Sequence, residues 1–218
     1  RALDVSTTGS NNTAVGQDAL GANTTGAGHT AIGYNALAAN TTAGYNTAVG
    51  WKALFDCTTG DANTAVGESA GANITTGEYN VAVGNSTLST STTSSHNTAL
   101  GYGSLYVATG AYNTAIGSNS LVANTTGQQN VAVGYGAADA NTTGSYLTAV
   151  GAYSLSANTT GQFNTGLGYF TLNENTTGTY NTAGGQNSLR FNTTGGNNTA
   201  FGFEALTANT TGGYNVAV

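Results

Sequence analysis

Residues 44–67 read GYNTAVGWKALFDCTTGDANTAVG. The word NTAVG starts at Asn46 and again at Asn63, 17 residues later, with Thr58-Thr59-Gly60 between the two. Aligned on that first Asn, the whole chain repeats. The starts fall at Asn12, His29, Asn46, Asn63, Asn80, Asn97, Asn113, Asn130, Leu147, Asn164, Asn181, Asn198 and Asn215. Every step is 17 residues except the one from Asn97 to Asn113, which is 16, where VATG (107–110) replaces the usual ANTTG. The consensus is N-T-A-V-G-x-x-A-L-x-A-N-T-T-G-x-Y. Ala2-Leu3 and Thr7-Thr8-Gly9 are the tail of an earlier copy. A fixed short period means a solenoid or fibre rather than a domain built round a pocket.

The period selects strands over helices. The apolar words are short and each ends at Gly, and a Gly in every helical turn would cost about 1 kcal/mol each. Val, Ile and Thr favour strands. Each unit therefore reads as one coil with two short strands and two turns. Stacked coils would pair as parallel strands, and about thirteen of them predict a rod on the order of 60 Å long. The expected fold is an all-β parallel β-solenoid, a single repetitive domain over residues 1–218.

Numbering each coil from its Asn, position four (Val15, Ile32, Val49, Val66 and their equivalents) is read as pointing inward. Position two, Thr or Val, shares that face because side chains two apart on a strand point the same way. Position three is Ala in every copy but Gly166, so something is expected to press against it. Position nine, Leu in most copies from Leu20 to Leu206, is a second core stripe. Position five is Gly in all twelve copies that reach it, which suits a positive-φ turn or a close backbone approach. Asn at positions one and twelve can form amide ladders from coil to coil and tolerates left-handed turns.

Charge gives an independent test of inside and outside. Only 6% of residues are charged, against roughly 25% in ordinary domains. All twelve Asp, Glu, Lys and Arg fall at positions six, seven, ten, eleven and sixteen, which must therefore be solvated. Three basic residues against nine acidic ones leave no basic stripe for nucleic acid. No apolar run approaches the length of a membrane span, and no leader segment is visible. The missing initiator Met and the stop within a repeat, at NVAV, read as a piece of a longer protein.

The phrase NTAVG-xx-AL-xANTTG resembles the head repeats of trimeric autotransporter adhesins, which carry NSVAIG-like words at a slightly shorter period. It is still more similar to repeats in bacterial and phage tail-fibre-domain proteins, where such runs precede a self-cleaving chaperone domain. The resemblance covers essentially the whole chain. It implies a left-handed parallel β-roll, usually a trimer, on a virion or cell surface. The period of 17 departs from the adhesin heads, and neither a chaperone domain nor a coiled-coil stalk lies within these residues. A coil this short encloses a thin core, marginal alone, so a homo-oligomer, trimer or filament, pressed together through the Ala face, is expected.

Sites for chemistry are few. His29 and His96 have no acid partner in a common register and read as Asn substitutes in a turn ladder. Cys57 takes the position-twelve place and reads as a buried, inert thiol. No catalytic residue, cofactor or metal is implied. The NTT sequons at Asn23, Asn40, Asn124, Asn141, Asn158, Asn175, Asn192 and Asn209 read as turn chemistry rather than sugar acceptors. Adjacent Thr pairs such as Thr24-Thr25 point to opposite sides and make a poor ice-binding array. Two aromatic rows remain. Position six carries Tyr34, Trp51, Tyr102, Tyr135, Tyr169 and Phe203, a candidate surface for cell-surface glycans or another filament. Position seventeen carries Tyr45, Tyr79, Tyr112, Tyr146, Phe163, Tyr180 and Tyr214. The expected role is an extracellular or virion-surface fibre shaft bearing a receptor-binding tip. The alternative is a binding solenoid, for carbohydrate or ice, acting through exposed aromatic or Thr rows.

Overall fold

A computed structural model describes all of residues 1–218. The chain forms a parallel β-solenoid without helices. It divides into two compact units, Arg1–Thr109 and Gly110–Val218, the division falling in the 16-residue step. The first unit holds β1 (Thr13–Val15), β2 (Thr30–Ile32), β3 (Thr47–Val49), β4 (Thr64–Val66), β5 (Val81–Val83) and β6 (Thr98–Leu100). The second holds β7 (Thr114–Ile116), β8 (Val131–Val133), β9 (Thr148–Val150), β10 (Thr165–Leu167), β11 (Thr182–Gly184), β12 (Thr199–Phe201) and β13 (Val216–Ala217). Within each unit, strands pair in parallel in chain order and at the register of the repeat: Thr47 faces Thr64, and Val131 faces Thr148. About twelve coils result, each with one short strand rather than two; turns make up the rest.

The two strand faces are the reverse of the expectation. Position three points inward: Ala31, Ala48, Ala65, Ala99, Ala115, Ala149 and Ala200 are all 0% exposed. Position four points out, with Val15 at 57%, Leu100 at 45% and Phe201 at 43%. The Ala face is therefore not an interface to a neighbour. What presses on position three is the opposite wall of the solenoid, from its own coil and from the coil before it. A Cβ added at Gly166 would run into Ser154 Oγ, and would lie 2.9 Å from Thr171 Oγ1 and 3.6 Å from Leu155 Cγ. Ser154 and Thr171 hold position eight and Leu155 holds position nine of their coils. The coil is so thin that a methyl group is the largest side chain the strand can turn inward.

Leu at position nine fills the remaining space, and Leu20, Leu37, Leu54, Leu88, Leu121 and Leu189 are fully buried. These residues adopt left-handed backbone, φ near 50°. Positions seven and seventeen are left-handed too, as at Lys52 and Tyr45, whereas the Asn of positions one and twelve are not. Such conformations cost about 1 kcal/mol or more for L-residues; the stacked coils around them supply the compensation. Position five uses glycine for both expected reasons: Gly50 has φ 136°, and a Cβ there would lie 2.5 Å from the Gly67 carbonyl oxygen of the next coil. None of the twelve charged residues is buried.

The inverted faces make opposite demands at adjacent residues. Ala65→Leu should destabilise the fold by roughly 1–3 kcal/mol through overpacking, whereas Val66→Thr should stay within about 0.5 kcal/mol of the parent. Urea midpoints followed by far-UV circular dichroism check both; equal losses would mean that position four also lies inside.

Candidate functional site

The interior of each coil is partly polar. At position one, the Asn side chain braces two backbone groups. Asn63 Nδ2 donates to Gly77 O across its own coil at 2.8 Å, and Asn63 Oδ1 accepts the backbone N–H of Asn80 in the next coil at 2.9 Å. Asn130 does the same with Gly144 and the N–H of Leu147. At position twelve, Asn141 Nδ2 donates to Gly144 O at 2.9 Å and to Asn124 Oδ1 at 2.7 Å. Asn158, Asn175, Asn192 and Asn209 continue that chain at 2.8–2.9 Å. The expected amide ladders are present, and they settle the sequons. Asn23, Asn40, Asn124, Asn141, Asn158, Asn175 and Asn192 are 0% exposed, so their amides are enclosed within the coils and cannot carry sugar.

In the first unit the position-twelve ladder is interrupted by Cys57, Ile74, Ser91 and Ala108. Ile74 fits because Gly71 stands at position nine, where a Cβ would lie 3.0 Å from its Cδ1. Cys57 is buried with Sγ 3.4 Å from Gly60 O. Burial pushes its thiol up to about 11, which leaves almost no thiolate at neutral pH. Asn40 has neither amide atom hydrogen-bonded, and Ala43 O, its usual acceptor, instead receives His29 Nε2 at 2.7 Å.

His29 substitutes for the position-one Asn: Nε2 donates to Ala43 O, and Nδ1 accepts the Asn46 N–H at 3.2 Å. That pairing requires a neutral ring, and burial holds its pKa below the ordinary value, against the opposing pull of the Ala43 and Asn46 hydrogen bonds. His96, by contrast, belongs to no amide ladder; its ring stacks on Tyr79 at 5.0 Å. No three His, Cys, Asp or Glu side chains come together to hold a metal.

The aromatic rows differ in character. At position seventeen, Tyr146, Phe163 and Tyr180 stack nearly parallel at 4.8 and 4.9 Å, one ring per coil. Their faces are spent on one another. At position six the row is interrupted, and its members do different things. Tyr34 and Trp51 stand 6.5 Å apart, and Lys52 Nζ lies over Trp51 at 4.6 Å and over Phe55 at 5.1 Å. Tyr102 and Phe203 are exposed. Tyr135 and Tyr169 flank two residues that the sequence reading did not single out, Tyr153 and Phe170 at position seven. These stack at 5.2 Å; Tyr135 meets Tyr153 edge-on at 5.3 Å, and Tyr169 tilts against Phe170 at 4.2 Å. The Arg190 guanidinium lies over Phe170 at 4.8 Å and Phe191 at 5.0 Å. The overlooked signal was positional: aromatics and cations share positions seven, ten and eleven with the charges already known to be outside.

The Thr pair of position thirteen and fourteen is divided as expected. Thr24 Oγ1 donates to Thr41 O of the next coil at 2.9 Å, and Thr25 is exposed. Compared with family models, with curated proteins and with solved structures, the chain matches none.

Two outcomes follow from the interior amides. Asn141→Ala should cost roughly 1–3 kcal/mol by leaving buried partners unpaired, while Asn40→Ala should be close to neutral, since the Asn40 side chain makes no hydrogen bond; urea midpoints compare them. For His29, the unfolded ring takes up a proton near its ordinary pKa of about 6.5 and the folded ring resists it. Stability is full above that pH and falls as pH drops below it. His29→Asn should flatten the difference between midpoints at pH 7.5 and pH 5.5; an unchanged difference would assign the acid sensitivity elsewhere.

Proposed function

We propose that the chain is the repeat shaft of an extracellular fibre, of the kind its sequence resembles in tail-fibre-domain proteins and adhesin heads. It acts as a homo-oligomer, a trimer of left-handed β-rolls or a filament of them, and holds a receptor-binding tip away from a virion or cell surface. The role is mechanical rather than catalytic. One observation carries this reading: the outward strand face. Positions two and four present Thr or Val beside Val, Ile, Leu or Phe in nearly every coil, and not one charged residue occupies either position. Three residues across and six strands along, this face is roughly 10 Å by 29 Å in the first unit alone. That is about the size of the largest apolar patch a typical monomer exposes, and such patches are often functional. A second copy offers the same flat, uncharged surface, which suits a repeating contact without long-range electrostatics. Backbone ladders between coils would transmit load along such a shaft, each coil templating the next.

Light scattering on a size-exclusion column tests it. A mass near three times 21.5 kDa, or a polymer, is expected. Val66→Lys combined with Val150→Lys should return the chain to a monomer with its circular dichroism unchanged. A monomeric parent chain would overturn the shaft and leave the Thr-Val face, with its Thr and aliphatic side chains two apart, to a ligand such as ice, for which thermal hysteresis is the measurement.

A further inference from the structure

The geometry points to a glycan-binding site on the second unit, centred on Tyr135 and Tyr169, that takes the ring face of a hexose in its pyranose form. Tyr135 and Tyr169 belong to coils two apart, so they stand about 10 Å from each other along the stack by the spacing of parallel strands. They are 51% and 46% exposed. Between them, at the same position of the intervening coil, is Ala152, whose methyl group leaves a gap in the aromatic row. The register is fixed by backbone hydrogen bonds: the Tyr153 N–H donates to Tyr135 O at 3.0 Å and the Phe170 N–H to Ala152 O at 3.2 Å.

The two outer rings are held rather than loose. Tyr153 and Phe170 stack face to face against them, and the Arg190 guanidinium lies over Phe170. This separates the cluster from the position-seventeen stack, where neighbouring rings use up each other's faces. An aromatic ring fixed by its neighbours loses little side-chain freedom when a ligand lies on it. A pyranose offers a matching surface, C–H groups on one face and hydroxyls round the rim.

Asp139 Oδ1, Asn187 Oδ1 and Arg190 Nε, on residues beside this cluster, are buried and without a hydrogen-bond partner, so the contact with a sugar rests on the rings and not on these atoms. Asp139 and Arg190 carry opposite charges, so the edge has no preference for an ionic ligand. With so few cations in the chain, a polyphosphate ligand gains nothing here. The residues of this site are distinct from those of the outward strand face, so binding and assembly through that face do not compete for the same side chains.

The test uses the full chain and a microarray of neutral and acidic hexose oligosaccharides, followed by calorimetric titration with the best-retained sugar. At least one hexose oligosaccharide should be retained. Tyr135→Ala combined with Tyr169→Ala should weaken its binding at least tenfold with circular dichroism unchanged. Phe170→Asn, which suits the left-handed backbone there (φ 55°), should weaken it as well by freeing the outer rings, and Trp51→Ala in the first unit should leave it unaltered. Retention of no hexose sugar would overturn the site. So would binding that survives the double variant, or that falls equally in Trp51→Ala.

Discussion

A coil of 17 residues closes around almost no space, and the position-one amide is what lets it close. Its NH₂ group reaches across the coil to the carbonyl of position fifteen, and its oxygen takes the first N–H of the next coil. Both backbone groups face the buried interior, where an unpaired polar group costs roughly 1–3 kcal/mol. Once the amide occupies that corner, the strand beside it can turn only Ala inward and the opposite wall supplies Leu. The larger aliphatic side chains are left outside. The apolar outer face is thus a consequence of a narrow interior, and it is the feature on which the proposed assembly rests.

Much of this was legible in the sequence. The period gave parallel pairing and its register. Gly at position five, Leu at position nine, the charge-bearing positions and the Asn ladders are all where the repeat implied. The strand faces were not legible. Alternation says that positions two and four oppose position three, but not which side is in. Hydrophobicity favours burying Val over Ala, and the rule fails here because volume decides first. The left-handed residues were hidden for a related reason. Leu54 and Tyr45 have no intrinsic liking for that backbone, and tertiary packing imposes it.

The aromatic surface was half visible. Tyr135 and Tyr169 stood out as members of a row, but a row in sequence is not a row of available faces. Phe170 is an aromatic in a variable position, with nothing in the repeat to mark it, and Arg190 is two coils of sequence away from Tyr153. Only the stacking of coils brings them together. His29 shows the same limit: it could be read as a substitute for Asn, but not that its imidazole takes the carbonyl that Asn40 would otherwise use.

The central claim is that the repeated Asn side chains face inward and hold one coil to the next. Side-chain amide hydrogen exchange, followed by nuclear magnetic resonance, measures it directly. The Nδ2 protons of Asn63, Asn80, Asn141 and Asn158, all at most 1% exposed, should exchange far more slowly than the Nε2 protons of the exposed Gln128, Gln162 and Gln186. Equal rates would place those amides in solvent and contradict the account of how the coils are held.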